Sequence, residues 1–324
     1  MNGLPISVAM CTYNGARFLP EQLESIAAQT RLPDELIVCD DRSTDESVEI
    51  VRNFARQAQF PVQLEINQAN LGSTRNFEKS IELCQGEIIA LADQDDVWCP
   101  QKLSCIASGL ERDDRIGAVF SDAALIDEDS RPLAGTLWSS FLFSSSEQKK
   151  FEGGQGLEVL LKHATVTGAT MAFRSKFRGL ALPIPPKQVH DHWIVLLIAS
   201  VSQLVPLRTP LVRYRRHQAQ QIGPGSDSLW QMIRLARSAG RDEYFGEVER
   251  FSEICERLCD RSETFHAHAN ALRLIRQKIR HRETRGRLPS SKLLRLPLLI
   301  REIATYRYWR YSNGFGSVAK DLLA

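Results

Sequence analysis

Over the first hundred residues, short unbroken apolar runs alternate with segments whose apolar positions recur at helical spacing. Ile6–Thr12 (ISVAMCT) reads as a buried strand, Tyr13-Asn14-Gly15 breaks it, and residues 18–29 form an amphipathic helix with Pro20 in its first turn. A second strand at 35–39 (ELIVC) leads into Asp40-Asp41-Arg42-Ser43-Thr44-Asp45, where Ser43 or Thr44 is positioned to cap a helix running to Ala55. A short third strand, Val62–Ile66, the turn Asn70-Leu71-Gly72 and a helical stretch at 77–84 follow, and Gly86 closes that helix before the run 87–92 (EIIALA). That run is nearly continuous in apolar residues, as a strand covered by helices on both faces must be. The alternation predicts an α/β fold, because right-handed crossovers lay successive strands side by side in a parallel sheet.

Past residue 100 the pattern loosens. A helix at 101–110 and a strand at 116–120, ended by Ser121-Asp122, continue the alternation, whereas residues 133–154, polar and serine-rich, read as a long excursion from the core. A further strand at 167–173 precedes Pro183, Pro185 and Pro186, the tetrad His190-Asp191-His192-Trp193, and an apolar run, 194–200, too short to span a bilayer. Residues 204–214 are extended and end in Arg213-Tyr214-Arg215-Arg216-His217. Gly223-Pro224-Gly225 then breaks the chain into a sheet-bearing unit, 1–222, and a helical extension, 223–324, with helical spacing from 228 to 282 and an arginine-rich tail from 288.

A chain of 324 residues suits one large domain with such an appendage. Seven cysteines, an odd number with no CxxC pair, lie mainly in apolar strands or helical stretches, which argues against a disulfide or zinc framework and for a reducing compartment. No basic segment followed by an apolar stretch opens the chain, so the expectation is a cytoplasmic protein. The net charge of +2 hides an asymmetry: residues 271–324 carry 13 Lys and Arg against 3 Asp and Glu, leaving the remainder net negative. Basic and apolar residues alternate in this tail, a pattern equally suited to nucleic acid and to anionic lipid head groups.

The chemistry concentrates where the run 87–92 ends. Asp93, Asp95 and Asp96 occupy three of four consecutive positions. Carboxylates this close repel one another unless a cation lies between them, which favours a hard divalent ion, Mg2+ or Mn2+, carrying a diphosphate. A polar turn before a helix, with Asp96 as its cap, is the alternative. Ligands of parallel sheets bind beyond the carboxyl ends of the strands, and Tyr13, Asp41 and Asp95 all fall on that edge.

Four ordered stretches, ISVAMCTYNGARFLPEQLESIAAQT, ELIVCDDRSTDES, NLGSTRNF and GEIIALADQDDVW, resemble the inverting glycosyltransferases of family 2 over about residues 5–220. HDHW and YRRHQAQQIG resemble the bacterial subgroup of rhamnosyltransferases of O-antigen and surface-polysaccharide assembly. The resemblance implies a GT-A, Rossmann-like fold: a mostly parallel central sheet flanked by helices, with a helical C-terminal extension. It implies a dTDP- or UDP-linked sugar donor and a glycan or lipid-linked acceptor. It assigns Thr12, Tyr13 and Asp41 to the base and ribose, with Asp41 accepting from a pyrimidine imide N–H, and Arg75 to ribose or phosphate. Asp93 would support the ribose or a metal-bound water, Asp95 the metal, and Asp191 would take the proton of the acceptor hydroxyl. His217 is a further candidate for the metal or the leaving diphosphate, with Arg213, Arg215 or Arg216 neutralising charge, and Trp193 is a candidate for stacking on an acceptor sugar. Each has a plainer reading: Asp41 as a charge at a helix N-terminus, Arg75 as a solvated side chain, Asp191 as a cap, Trp193 as core and His217 as a surface histidine. Because lipid-linked sugars are common acceptors in this family, the resemblance favours an anionic membrane over nucleic acid as the tail's partner, at the inner face of the cytoplasmic membrane.

Two other classes compete. A nucleotidyltransferase would carry a Gly-rich basic loop after the first strand, which Tyr13-Asn14-Gly15-Ala16-Arg17 is not. A non-catalytic sugar-binding relative would have lost the strand-end acids, and Asp41, Asp93, Asp95 and Asp191 are all present.

Overall fold

The computed structural model describes residues 3–217 and 241–323. Strands β1 (Ile6–Thr12), β2 (Glu35–Asp40), β3 (Val62–Ile66) and β4 (Ile88–Ala92) pair in parallel in the order β3-β2-β1-β4, with helices α1 (Leu19–Ala27), α2 (Ser47–Ala55) and α3 (Ser73–Leu83) as the crossovers. Every residue of β4 is buried, which is why its sequence lacks the alternation of a one-sided strand. Ser43 and Thr44 do not cap α2: Ser43 donates through both its N–H and its hydroxyl to Asp40, and Asp45 accepts from the N–H of Ser47 where the helix begins.

Beyond α4 (Lys102–Glu111) the sheet becomes mixed. The 11-residue β6 (Ile116–Ile126) is flanked by the antiparallel β8 (Met171–Arg174), which slots in beside β4, and by the parallel β9 (Gln203–Arg215). β5 (Val97–Trp98) pairs antiparallel with β9 at the far edge, and β7 (Pro132–Thr136) joins the C-terminal end of β6, giving nine strands. β6 thus runs straight through Ser121-Asp122, where the polarity pattern ends it. Asp122 is tolerated in a buried strand because its Oδ1 accepts from the N–H groups of Ala123 and Trp138.

Residues 133–154 are not an excursion. Helices α5 (Leu137–Ser140) and α6 (Ser145–Glu152), followed by α7 (Gly156–Leu160), bring Trp138, Phe143 and Phe151 around Phe120. Several of the serines that read as loop are instead part of helix starts, where Thr136 with Ser139 and Ser144 with Glu147 form capping boxes. In the stretch 167–173, Gly168–Thr170 is a single 3-10 turn and only its end enters β8.

Alternate residues of β1 feed two apolar layers. Ile6, Val8 and Met10 pack with α1 and α4 on one face, and Ala9 packs with α3 and α9 (His190–Val201) on the other. Short α8 (Arg178–Ala181) precedes α9, and α10 (Arg241–Asp260) and α11 (Ala271–Gly286) add Phe251, Ile254, Leu258, Leu274 and Ile275 to that second layer. Helices α12 (Lys292–Ala304), α13 (Arg307–Tyr311) and α14 (Phe315–Leu323) close the chain around a smaller cluster of Leu288, Leu299 and Tyr308. The Gly223-Pro224-Gly225 break and the start of the helical run at 228 lie outside the described residues.

Candidate active site

The carboxyl ends of β1, β2 and β4 meet in a set of loops held together by side chains. Asn14, in the left-handed region with φ 47°, donates its N–H to Ser43 and accepts from the N–H of Thr44, joining the loop after β1 to the loop after β2. Thr12 is buried and spends its hydroxyl on Asp40 at 2.7 Å, so it braces this junction, and Tyr13 is the exposed member of the pair. Gln94 joins the third loop: its amide accepts from Tyr13 N–H at 2.8 Å and donates to Tyr13 C=O at 3.1 Å. A Cβ at Gly15 would stand 2.2 Å from Gln94 Oε1, so this contact requires a glycine. Asp41 is also committed locally: Oδ1 accepts from Asn67 and from Leu71 N–H, and Oδ2 from Gly72 N–H, which fixes the NLG turn against β2. An oxygen with one donor retains a second lone pair, and Oδ2 of Asp41 is such an oxygen among the described contacts.

The three acids after β4 have different surroundings. Asp95 points its Oδ2 at His217 Nε2, 2.8 Å away, and the imidazole lies against Phe18. Asp96 turns inward, where Oδ1 accepts from Arg215 N–H and Oδ2 meets no partner among the described residues. Burial, Asp95 and Asp93 together push the pKa of Asp96 well above the carboxylate range. Asp93 is half-buried, and burial together with the charges of Asp95 and Asp191 raises its pKa to about 7. Behind them stands a group the sequence pattern did not single out. Lys102 is fully buried, donates to Ala169 C=O at 2.7 Å and lies 3.4 Å over the Trp98 ring. Burial pulls its pKa well below the usual lysine value, against the opposing pull of Asp96 and Asp93.

Asp191 sits in the first turn of α9, with Oδ2 accepting from Gly168 N–H at 2.9 Å and Oδ1 from His192 N–H at 2.6 Å. The structure therefore brings Tyr13, Asp93, Asp95, Asp191 and His217 to one edge of the sheet. It does not bring Trp193, which is fully buried and donates its indole N–H to Ala181 C=O; the acceptor contact expected of it is corrected to a core role. Arg75 pairs with Glu78 on its own helix. Nor is Arg215 a phosphate ligand: with 1% of its side chain exposed, it donates to the carbonyls of Asp95, Asp127 and Glu128, to Ser130 Oγ and to Glu21. Arg213 donates to Ser130 C=O.

A carboxylate and an imidazole side by side at a strand mouth, with Asp93 and Asp96 close enough for the Asp95 charge to raise the pKa of both, fit a divalent cation. Among the described residues no three His, Cys, Asp or Glu side chains converge as a cage, so Asp95 and His217 would leave most of the coordination sphere to ligand oxygens.

Residues 7–177 match the family model Glycosyl transferase family 2. An uncharacterized glycosyltransferase of Nostoc sp. is 28% identical over 67% of this chain and 66% of its own length. Another, from Methanocaldococcus jannaschii, is 30% identical over 65% of this chain and 70% of its own. The match thus spans just under two thirds of the Nostoc protein, and only 36% of an uncharacterized Mycobacterium tuberculosis protein that is 34% identical. Among solved structures, S. aureus TarS 1-349 superposes with a TM-score of 0.55 at 15% identity, over 95% of this chain and 81% of that one. The mannosyltransferase PcManGT from Pyrobaculum calidifontis, in complex with GDP-Man and Mn2+, gives 0.51 at 15% identity over 100% and 88%. Those likenesses show a shared GT-A fold, and with more than half of its length matched by the family model the chain belongs to glycosyltransferase family 2.

Proposed function

We propose that this chain is an inverting, metal-dependent glycosyltransferase that moves a sugar from a nucleoside diphosphate to a hydroxyl of a glycan or lipid-linked acceptor, with residues 1–222 as its catalytic unit. The observation that carries the reading is the Asp95–His217 pair, 2.8 Å apart on the same sheet edge as Tyr13 and Asp191. In this reading Asp41 Oδ2 takes the imide N–H of a uracil or thymine base, Tyr13 lies against the nucleoside, Arg75 reaches the ribose or a phosphate, and Asp93 supports the ribose. A Mg2+ or Mn2+ ion held by Asp95 and His217 would neutralise the departing diphosphate.

The remaining chemistry belongs to Asp191. Its carboxylate is oriented by the N–H groups of Gly168 and His192, which leaves a lone pair on each oxygen free to accept the acceptor O–H. The acceptor oxygen forms its bond to the anomeric carbon as that proton passes to Asp191, and the bond to the diphosphate breaks on the opposite face, so the anomeric centre inverts without a covalent enzyme intermediate. The structural relatives support a nucleotide-sugar donor: TarS 1-349 has been solved with UDP-GlcNAc, and PcManGT with GDP-Man and Mn2+. Rhamnose is the first sugar to test, because the HDHW and YRRHQAQQIG stretches resemble rhamnosyltransferases of surface-polysaccharide assembly.

The test is a thermal-shift panel of UDP, dTDP and GDP with and without Mn2+, on wild type and Asp95→Ala. Stabilisation by UDP or dTDP that needs the metal and disappears in Asp95→Ala is the expected result. Folded protein that no nucleotide stabilises would overturn the reading.

A further inference from the structure

Helix α12 (Lys292–Ala304) buries two charged side chains and exposes an apolar stripe. Its inward positions are Arg295, Leu299 and Glu302, while Leu293, Leu296, Pro297 and Ile300 form an i, i+3, i+4, i+7 stripe that faces solvent. Leu293 is 78% and Ile300 62% exposed. The inward charges are satisfied within the protein: Arg295 donates to the carbonyls of Pro289 and Asp321, and Glu302 pairs with His281 and Arg307. A helix that buries Arg295 and Glu302 while leaving Leu293, Leu294, Leu296 and Ile300 exposed presents a stripe suited to lie against an apolar phase. Just past it, Trp309 meets Tyr306 in a tilted contact and Phe315 edge-on, an aromatic cluster with Tyr306 and Phe315 well exposed.

The charge around the stripe selects the occupant. Between residues 287 and 323 the only acids are Glu302 and Asp321, and both are buried, whereas Arg287, Lys292, Arg301 and Arg310 are exposed. The solvent-facing charge of this segment is therefore all positive. A second copy of the chain would bring like charges together, while an anionic lipid surface would complement them. No helix among the described residues is long and apolar enough to cross a membrane, so the contact is one of lying on the surface. We propose that α12 docks the protein onto an anionic bilayer, its leucine stripe entering the head-group boundary and its exposed cations meeting lipid phosphates. This inference is independent of the identity of the donor.

The experiment is flotation of the full chain with vesicles of equimolar phosphatidylglycerol and phosphatidylcholine, beside vesicles of phosphatidylcholine alone. Wild type is expected to float with the anionic vesicles and to be released by salt. Leu293→Asn/Ile300→Asn should bind at least about tenfold more weakly, and Lys292→Gln/Arg301→Gln about tenfold or more. All four positions are exposed, and an unchanged melting temperature checks that both variants fold. Equal flotation of the Leu293→Asn/Ile300→Asn protein, or no flotation of wild type, overturns the proposal. A concentration-dependent wild-type dimer that the same double variant abolishes, without flotation, would assign the stripe to a second copy and overturn it too. The nucleotide thermal shift of the double variant should equal that of wild type, so a failure here is distinguishable from a failure of the glycosyltransferase reading.

Discussion

Replacing Asp93 by Asn should stabilise the metal-free protein at neutral and alkaline pH and leave it unchanged in acid. Asp93 titrates at about 7 rather than 3.8, because burial and the charges of Asp95 and Asp191 disfavour its ionised form. Between these values the folded chain holds a proton that the unfolded chain has released, so stability falls as pH rises through this window, and the loss is complete above 7. A shift of about 3 units corresponds to a ceiling of roughly 4 kcal/mol, and the half-exposed position of Asp93 lets water screen the repulsion to about 2 kcal/mol. An amide of the same shape carries no charge to repel. The difference in melting temperature between Asp93→Asn and wild type, measured in chelator, should therefore be near zero at pH 4 and grow to roughly 3 °C at pH 8. Adding Mn2+ with UDP or dTDP at pH 8 should recover stability in wild type only. A difference that does not change with pH, or a variant less stable than wild type at pH 8, would refute the electrostatic argument.

Three further outcomes are expected. Asp191→Asn should lower kcat by about 10²- to 10⁴-fold while nucleotide affinity, measured by calorimetry, stays within error of wild type, since the amide can still occupy the turn but cannot take a proton. Arg215→Met should destabilise the fold by roughly 3–5 kcal/mol in urea melts, because it strands the carbonyls of Asp95, Asp127 and Glu128 that the buried guanidinium now satisfies. Gly15→Ala should weaken nucleotide binding by about tenfold with a smaller effect on stability, since a methyl 2.2 Å from Gln94 Oε1 expels the flexible side chain that holds Tyr13.

β1, β2 and β4 were legible because strands buried on both faces leave continuous apolar runs, and the part-exposed β3 was legible from its alternation and the Asn70-Leu71-Gly72 turn after it. The later sheet was less so. Ser121-Asp122 reads as a strand end, yet β6 continues because partners 16 residues on, at Trp138, satisfy the Asp122 carboxylate, and no local pattern encodes such a partner. Trp193 opens an apolar run that is hydrophobic all round, the signature of an interior helix, and that periodicity argues for the core role the structure gives it. Lys102 carried a usable signal: it lies four residues before Ile106, on the face of α4 that also buries Gly109 and Leu110. A lysine on the apolar face of a helix beside an acidic turn is a candidate for a buried counter-charge. His217 could be nominated from its basic neighbourhood, but its meeting with Asp95, 122 residues away, depends on the closure of β9 against β6 and β5.

That closure changes what the acidic turn is. Taken locally, Asp93-Gln94-Asp95-Asp96 is a polar crossing between β4 and β5, and nothing within it distinguishes one acid from the next. When the end of β9 arrives, Arg215 presents its N–H to Asp96 and its guanidinium to the Asp95 carbonyl, and two residues later His217 reaches the Asp95 carboxylate. One strand end thereby draws Asp96 inward and leaves Asp95 at the strand mouth, facing His217. Asp93 is left between two charges, its pKa raised to about 7 by burial and by Asp95 and Asp191. The repulsion is lodged in a sheet whose long-range pairing can bear it, and a cation at Asp95 and His217 would relieve it. On the proposed reading, a metal at a site assembled in this way would bind most tightly when β9 is fully seated, so Arg215→Met should weaken metal-dependent nucleotide binding as well as stability, although its guanidinium faces the interior.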